Sequence, residues 1–136
     1  MNETKAAPTH LWVVGVISLL WNAIGAYLYL QANFDEAAVL ATMPPEMQEY
    51  AANMPIWAHT GWALGIWGSV AGSILLLARS RHAVTAFILS FVGAAVSYLA
   101  QALAGVLTVG PLVMILGAIA LQWFYAHRMR QRGVLR

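Results

Sequence analysis

The chain has 136 residues, of which 61% are hydrophobic and only 9% are charged, whereas charged residues make up about 25% of an ordinary globular domain. This composition and a mean hydropathy of +0.70 exclude a water-soluble fold and predict an integral membrane protein. The absence of cysteine excludes disulfides, iron–sulfur clusters and covalently attached c-type haem. The net charge of +2 gives no reason to expect nucleic acid as a partner, because the basic residues lie at predicted membrane boundaries.

Four apolar stretches are long enough to cross a bilayer core of about 30 Å. We predict spans at about 11–30, 56–78, 83–107 and 109–126. The first stretch is too long for the apolar region of a signal peptide, so we expect it to stay in the protein. Because four spans and their loops use nearly every residue, the predicted fold is all-α, an integral membrane four-helix bundle that forms a single domain over residues 1–136.

The segment 31–54, between spans 1 and 2, holds four of the five acidic residues. Asn33 followed by Glu36 resembles a capping box that opens a short helix. Pro45 can serve as the first residue of a second short helix that runs to Asn53. We expect this short helical segment to lie on the membrane surface or to cover the mouth of the bundle as a lid.

Small residues recur on one face of each of the first three spans. Four glycines of span 2 fall within about 60° of arc at 100° per residue, and we call this face the glycine groove. In a membrane, small residues let a second helix approach closely. The predicted packing residues are Gly61, Gly65, Gly68 and Gly72 of the glycine groove, Gly15, Ser18 and Gly25 of span 1, and Ser90, Gly93 and Ser97 of span 3. We expect the glycine groove to meet both neighbouring spans and to leave the opposite side of span 2 free for a ligand or a second protein.

Several polar groups fall in one half of the membrane when the spans are antiparallel, and they form a candidate ligand-binding site with one aromatic wall. The candidates are Asn22, His59, Trp62, Tyr98 and Gln101. Such a set can hydrogen-bond an uncharged polar ligand. Alternatively, these groups satisfy each other and only hold the helices together. His59, which alone among them titrates near neutral pH, can be structural or functional.

Catalysis is not indicated, because no Asp or Glu lies inside any span to activate a nucleophile or to carry a coupling ion. A haem would need axial histidines, and His10, His82 and His127 fall at the opposite end of the bundle from His59. The methionines of segment 31–54 are apolar filler in this interpretation. We therefore predict a protein that is not an enzyme and has no catalytic residue, no cofactor and no metal site.

The basic residues predict the orientation. With four spans, all seven fall on one side: Lys5, Arg79, Arg81, Arg128, Arg130, Arg132 and Arg136. Basic residues of short loops stay in the cytoplasm. We therefore predict that both termini are cytoplasmic and that segment 31–54 is extracytoplasmic.

Three stretches resemble a family of small bacterial four-span inner-membrane proteins that are commonly labelled sugar transporters. They are LLWNAIGAYLYL in span 1, PIWAHTGWALGIWGSVAGSILLLARSRHAV across span 2 and its loop, and the tail YAHRMRQRGVLR. The resemblance covers nearly the whole chain and implies a bacterial inner-membrane location and transport of a small neutral solute. The family pattern has an acidic residue before a tyrosine where this chain has Ala26 and Tyr27, which removes a group that could have served coupled transport.

Two functions remain open. The small size and the packing faces favour a non-enzymatic protein that acts by helix–helix association, as a homo-oligomer or as an accessory subunit of a larger membrane complex. The polar cluster and the family resemblance favour a facilitative transporter or binding protein for a small uncharged solute such as a sugar. In both cases membrane lipids are partners.

Overall fold

The computed structural model describes residues 5–136, and all its regular structure over this range is helical. The four residues before Lys5, which the domain prediction includes, lie outside the described range. Six helices follow each other within residues 5–136: α1 Thr9–Phe34, α2 Glu36–Leu40, α3 Pro45–Ala52, α4 Ile56–Leu77, α5 His82–Leu103 and α6 Val109–Gln131.

Four of these helices, α1, α4, α5 and α6, are long and apolar enough to cross a membrane, which confirms the four apolar helices predicted from the sequence. The bounds of α4 lie close to the prediction, whereas α5 ends at Leu103, before the predicted end at 107, because Gly105 with a φ angle of 76° reverses the chain there. In contrast, α1 and α6 continue beyond their apolar stretches to Phe34 and Gln131, because polar residues with good helix propensity extend a helix as well as apolar ones do.

The two short helices α2 and α3 connect α1 to α4. Pro45 is the first residue of α3, as predicted, since its fixed backbone angle suits a first helical turn. The predicted capping box is wrong. Asn33 still belongs to α1, where its Nδ2 donates to the main-chain oxygen of Tyr29 at 2.8 Å, and α2 instead begins after Asp35, which makes no side-chain capping bond.

The long helices pack in the order α1, α4, α5, α6, so α1 and α6 lie at the two ends of the row. The glycine groove of α4 fits against α5. A Cβ atom built on Gly61 would lie 2.8 Å from the main-chain oxygen of Gly93, and one built on Gly93 would lie 2.6 Å from that of Gly61. Only glycine permits this close approach of the two backbones.

The glycine groove meets α5 and not α1, which corrects the expectation that it meets both neighbours. The atoms nearest to its four glycines all belong to α5. The small face of α1 packs on another side of α4, where Gly15 lies against Leu77 and Gly25 lies against Ile66. Two neighbours on different sides of one helix need different stripes of its surface, so a single groove cannot serve both.

Three helices end in the same hydrogen-bonded motif, in which a residue with positive φ reverses the chain. Gly105 after α5 and Gly133 after α6 have φ angles of 76° and 74°. At the end of α4 the position is taken by Arg79, with a φ angle of 57°. The Nε of Arg79 donates to the main-chain oxygen of Val134 at 3.2 Å, and this tertiary contact helps to hold the unusual backbone.

The two ends of the bundle differ in charge, and we name them accordingly. The basic end carries Lys5, the α4–α5 turn and the carboxyl terminus, which main-chain hydrogen bonds tie together, among them Lys5 N to Gly133 O at 3.0 Å and Arg136 N to Arg79 O at 2.8 Å. Its interior is a continuous apolar core of Leu11, Leu76, Ala83, Val84, Phe87, Ala126, Met129, Val134 and Leu135. The acidic end carries α2, α3 and their four acidic residues.

Candidate functional site: a cavity beneath the two short helices

A cavity of about 750 Å³ lies at the acidic end and is lined by residues of all six helices. This volume falls in the range of pockets that hold drug-sized ligands. The cavity brings together all five residues of the candidate ligand-binding site: Asn22, His59, Trp62, Tyr98 and Gln101. Their proposed role in ligand binding stays a prediction, but the structure places them around one space.

The roof of the cavity is formed by α2 and α3. Val39 and Leu40 of α2 and Met43, Met47 and Tyr50 in and before α3 line it. Segment 31–54 was expected either to lie on the membrane surface or to cover the mouth of the bundle, and in the structure it covers the mouth. Methionine suits this position because its flexible thioether side chain fills irregular apolar space.

The floor of the cavity is a buried hydrogen-bond network around Asn22. The Nδ2 atom of Asn22 lies 3.1 Å from the main-chain oxygen of Ser69, 2.8 Å from Ser73 Oγ and 2.8 Å from Gln122 Oε1. Ser90 Oγ in turn donates to the main-chain oxygen of Gly65 at 2.6 Å and is hydrogen-bonded to Ser69 Oγ. This network links α1, α4, α5 and α6 at mid-height.

The orientation of the Asn22 amide follows from its neighbours. A main-chain oxygen can only accept, so the atom beside Ser69 must be the donating NH₂ group. Within residues 5–136, the Oδ1 atom of Asn22 has no hydrogen-bond partner, and although the residue is only 7% exposed, this oxygen is not among the fully enclosed polar atoms. Because Asn22 lines the cavity, its carbonyl oxygen is an acceptor available to a ligand.

A cluster of aromatic rings lies beside the cavity, where His59 and Trp62 of α4 line it and Tyr29 of α1 packs behind them. Tyr29 Oη and His59 Nε2 are 3.2 Å apart. The ring of Tyr29 packs edge-on against Trp62 with 4.7 Å between centroids, and His59 packs edge-on against the same indole at 5.6 Å. His59 and Trp62 lie in the α1–α4 contact, so the expectation that no neighbouring span meets this side of α4 is wrong. Both residues also line the cavity, and their role toward a ligand stays a prediction.

The opposite wall belongs to α5 and carries hydrogen-bond donors. Gln101 Oε1 accepts from Thr108, at 3.3 Å from its N and 2.9 Å from its Oγ1. This contact uses the amide oxygen and leaves the NH₂ group of Gln101 as a donor. The half-buried Tyr98 adds a hydroxyl to the same wall.

Tyr50, in the roof, has a buried hydroxyl without a partner. Among the described residues, Tyr50 Oη is the only enclosed side-chain polar atom that makes no hydrogen bond. Burial also raises the pKa of this hydroxyl above its usual value, because the charged form loses its hydration. A buried polar group without a partner costs free energy. This hydroxyl can therefore donate a hydrogen bond to an acceptor atom of a bound molecule.

The predicted packing residues differ in their surroundings. Gly61, Gly65, Gly68, Gly72 and Gly93 lie in the α4–α5 contact, Gly15 and Gly25 lie in the α1–α4 contact, Ser18 and Ser90 are buried, and Ser97 lines the cavity. Two further residues that were not predicted line the cavity, Tyr50 and Ser69. Three others hydrogen-bond to its lining residues, namely Tyr29, Ser73 and Gln122. Ser69 and Ser73 follow Trp62 at i+7 and i+11, a spacing that could have indicated this second face of α4.

As a whole, the cavity is a mostly apolar space with a free acceptor at its floor and several donors near its roof. Glu36, at the mouth, is the only acidic residue among those that line it. Such a lining can bind and orient a molecule through hydrogen bonds.

Comparison with family models, with curated proteins and with solved structures finds no match for this chain. The resemblance to the four-span family labelled as sugar transporters therefore stays a prediction, and the functional argument depends on the geometry of the cavity.

Proposed function

We propose that this protein binds a small uncharged ligand within the membrane, in the cavity at its acidic end, and acts as a binding protein or facilitative carrier without catalysis. One observation carries the proposal. The free acceptor of Asn22 and the donors of Tyr50, Tyr98 and Gln101 converge on a single cavity that the short helices α2 and α3 cover.

The uncharged nature of the ligand follows from the residues around the cavity. A charged ligand buried there would need an opposite charge, since an unpaired ion in a low-dielectric site is strongly disfavoured. Apart from Glu36 at the mouth and the imidazole of His59, the polar lining residues are neutral amides, hydroxyls and two indoles. Passive binding or facilitated passage suits such a lining better than ion-coupled transport does.

We place the protein in a bacterial inner membrane with its basic end in the cytoplasm. The charge separation supports this orientation, because all seven basic residues belong to the basic end and the acids of α2 and α3 belong to the other. The family resemblance supports the bacterial location. A reporter fused after Arg136 should be active only in the cytoplasm, and a fusion that is active only in the periplasm would contradict the orientation.

Helix–helix association, as a homo-oligomer or an accessory subunit, is a second candidate function. One observation favours it. Of the four long helices, α6 is the least buried, and no atom lies within 4 Å of a Cβ built on Gly117. A face of this kind can accept another helix closely. The proposals are compatible if the carrier is oligomeric.

Native mass spectrometry of the gently purified protein tests the binding proposal directly. We expect the wild-type protein to retain an additional small-molecule mass and Asn22→Leu and Gln101→Leu to lose it. Gln131→Leu, an exposed substitution at the basic end, is the matched control and should retain the mass. The same spectra report the oligomer. Lost assembly with unchanged ligand content in the Asn22 variant would favour association instead, and a wild-type protein without any retained or added ligand would refute binding.

A further inference from the structure

Within residues 5–136, the side-chain hydrogen bonds between α1 and α6 are absent from the acidic half of the bundle. Two such bonds join the helices: Asn22 Nδ2 donates to Gln122 Oε1 at 2.8 Å, and His10 Nδ1 lies 2.5 Å from Tyr125 Oη. Both contacts lie at or below mid-height, on the basic side. Between residues 23–34 of α1 and residues 109–121 of α6, the described chain has no side-chain hydrogen bond, and the two helices are not a closely packed pair.

The side chains along this gap line the cavity and are exposed at the same time. Trp21, Ile24 and Leu28 of α1 are 43%, 61% and 56% exposed, and Met114 of α6 is 55% exposed, yet all four line the cavity. A residue with both properties stands at an opening. Because α1 and α6 are apolar enough to cross a membrane, this opening faces the hydrocarbon of the bilayer.

We propose that the ligand enters sideways from the bilayer through the gap between α1 and α6, and that it is an uncharged single-chain amphiphile with a hydroxyl group. The hydroxyl donates to Asn22 Oδ1 at the floor, and the chain lies between Leu28 and Ile115 toward the lipid. This inference rests on the proposed binding function and names the chemical class of its ligand.

The lining favours this class over a sugar. A sugar carries several hydroxyl groups, and each one that is buried without a partner costs free energy. On the α1 and α6 sides the cavity offers mainly apolar side chains, among them Ile24, Met114 and Ile119, which suit an alkyl chain. A single hydroxyl group needs only one free acceptor, and Asn22 at the floor of the cavity supplies it.

Because the chain has no cysteine of its own, two introduced cysteines can be cross-linked selectively to close the gap. In the double variant Ile24→Cys/Met114→Cys, a flexible bifunctional thiol reagent cross-links α1 to α6 across the opening. If the reagent contains a disulfide, a reductant cleaves the cross-link. The matched control is His10→Cys/Tyr125→Cys, which joins the same two helices at the basic end and leaves the gap open.

The probe is hexadecanol with a photoactivatable diazirine in its chain, dissolved in lipid nanodiscs that hold the protein. We expect light to attach the probe to residues that line the cavity, as mapped by peptide mass spectrometry. Cross-linking of the gap should lower this labelling at least tenfold, reduction should restore it, and the control pair should leave it unchanged. If the double variant does not fold, Leu28→Trp narrows the gap and should lower labelling several-fold.

The outcomes separate this inference from the proposed function. Cavity labelling that is unchanged by closing the gap would overturn sideways access. Labelling by a photoactivatable glucose added from the water, without labelling by hexadecanol, would overturn the amphiphile and keep the binding function. Labelling by neither probe, together with a wild-type protein that carries no ligand in native mass spectra, would overturn both.

Discussion

The two ends of this bundle are built from the same four long helices, but one end is filled and the other is hollow. At the basic end, Leu11, Leu76 and Phe87 are fully buried in a continuous core. At the acidic end, the helices enclose a cavity of about 750 Å³. The boundary between the two regions is the hydrogen-bond network of Asn22, at the mid-height of the bundle.

The connections between the helices explain much of this difference. At the basic end, the short α4–α5 turn and the last residues of the chain are folded inward, where Val134 and Leu135 are buried. At the acidic end, the long segment 35–55 holds two helices that cover the cavity without filling it. In lipid, helices gain little hydrophobic free energy by packing together. An unfilled space between them is therefore tolerated where a network such as that of Asn22 holds the helices in place.

The largest effect is expected where the backbones approach most closely. Gly93→Leu should destabilise the protein by about 3 kcal/mol or more, because overpacking a tight contact forces whole helices apart, and a Cβ at Gly93 would already lie 2.6 Å from Gly61 O. Gly117→Leu, at an open position of α6, is the control and should change stability little. Unfolding in bicelles by titration with sodium dodecyl sulfate measures both variants. Equal stability of the two would show that the α4–α5 contact is not tight.

A matched pair of truncations compares the filled end with the hollow end. Leu76→Ala should cost about 2–4 kcal/mol, because it opens a void in a close-packed core, and Leu76 is 0% exposed. Leu28→Ala should cost less than about 1 kcal/mol, because Leu28 is 56% exposed and borders space that is already empty. The same unfolding titration gives both values. A larger loss for Leu28 would mean that the cavity is filled in the native protein.

Periodicity and inventory were sufficient to predict the apolar helices, the small faces and the start of α3 at Pro45. They also selected Asn22, Tyr98 and Gln101, because a polar group inside a span needs a partner or a cavity. The five candidate site residues line one cavity, and their role in binding a ligand stays a prediction.

The sequence did not reveal which neighbour each face of a helix meets. The angle of the glycine groove on α4 can be calculated from its spacing, but the choice of α5 over α1 depends on the packing of the whole bundle. The failed capping box at Asn33 has a similar cause, since the continuation of α1 to Phe34 overrides a local motif. Arg79 takes a positive φ angle where glycine is usual, and the contacts that support it come from the distant residues Lys5 and Val134.

The smallest expected effect has the opposite sign and tests whether the hollow end is reserved for a ligand. Tyr50→Phe removes the buried hydroxyl that has no partner among the described residues. Without ligand, this variant should be more stable than the wild type by about 1 kcal/mol, because the desolvation cost of the hydroxyl disappears.

A ligand whose head group also reaches the roof gives this hydroxyl an acceptor, and for such a ligand Tyr50→Phe should release the retained molecule more readily in native mass spectra, whereas a single hydroxyl held at Asn22 leaves retention unchanged. Tyr27→Phe is the control, because Tyr27 is exposed and its hydroxyl accepts from Gln31 Nε2 at 3.0 Å; it should change neither property. A Tyr50 variant that is less stable without ligand would mean that the hydroxyl already has a partner, such as an ordered water. The Tyr50 hydroxyl would then be hydrogen-bonded without a ligand, and the cavity at the acidic end would result only from the way α2 and α3 cover the bundle.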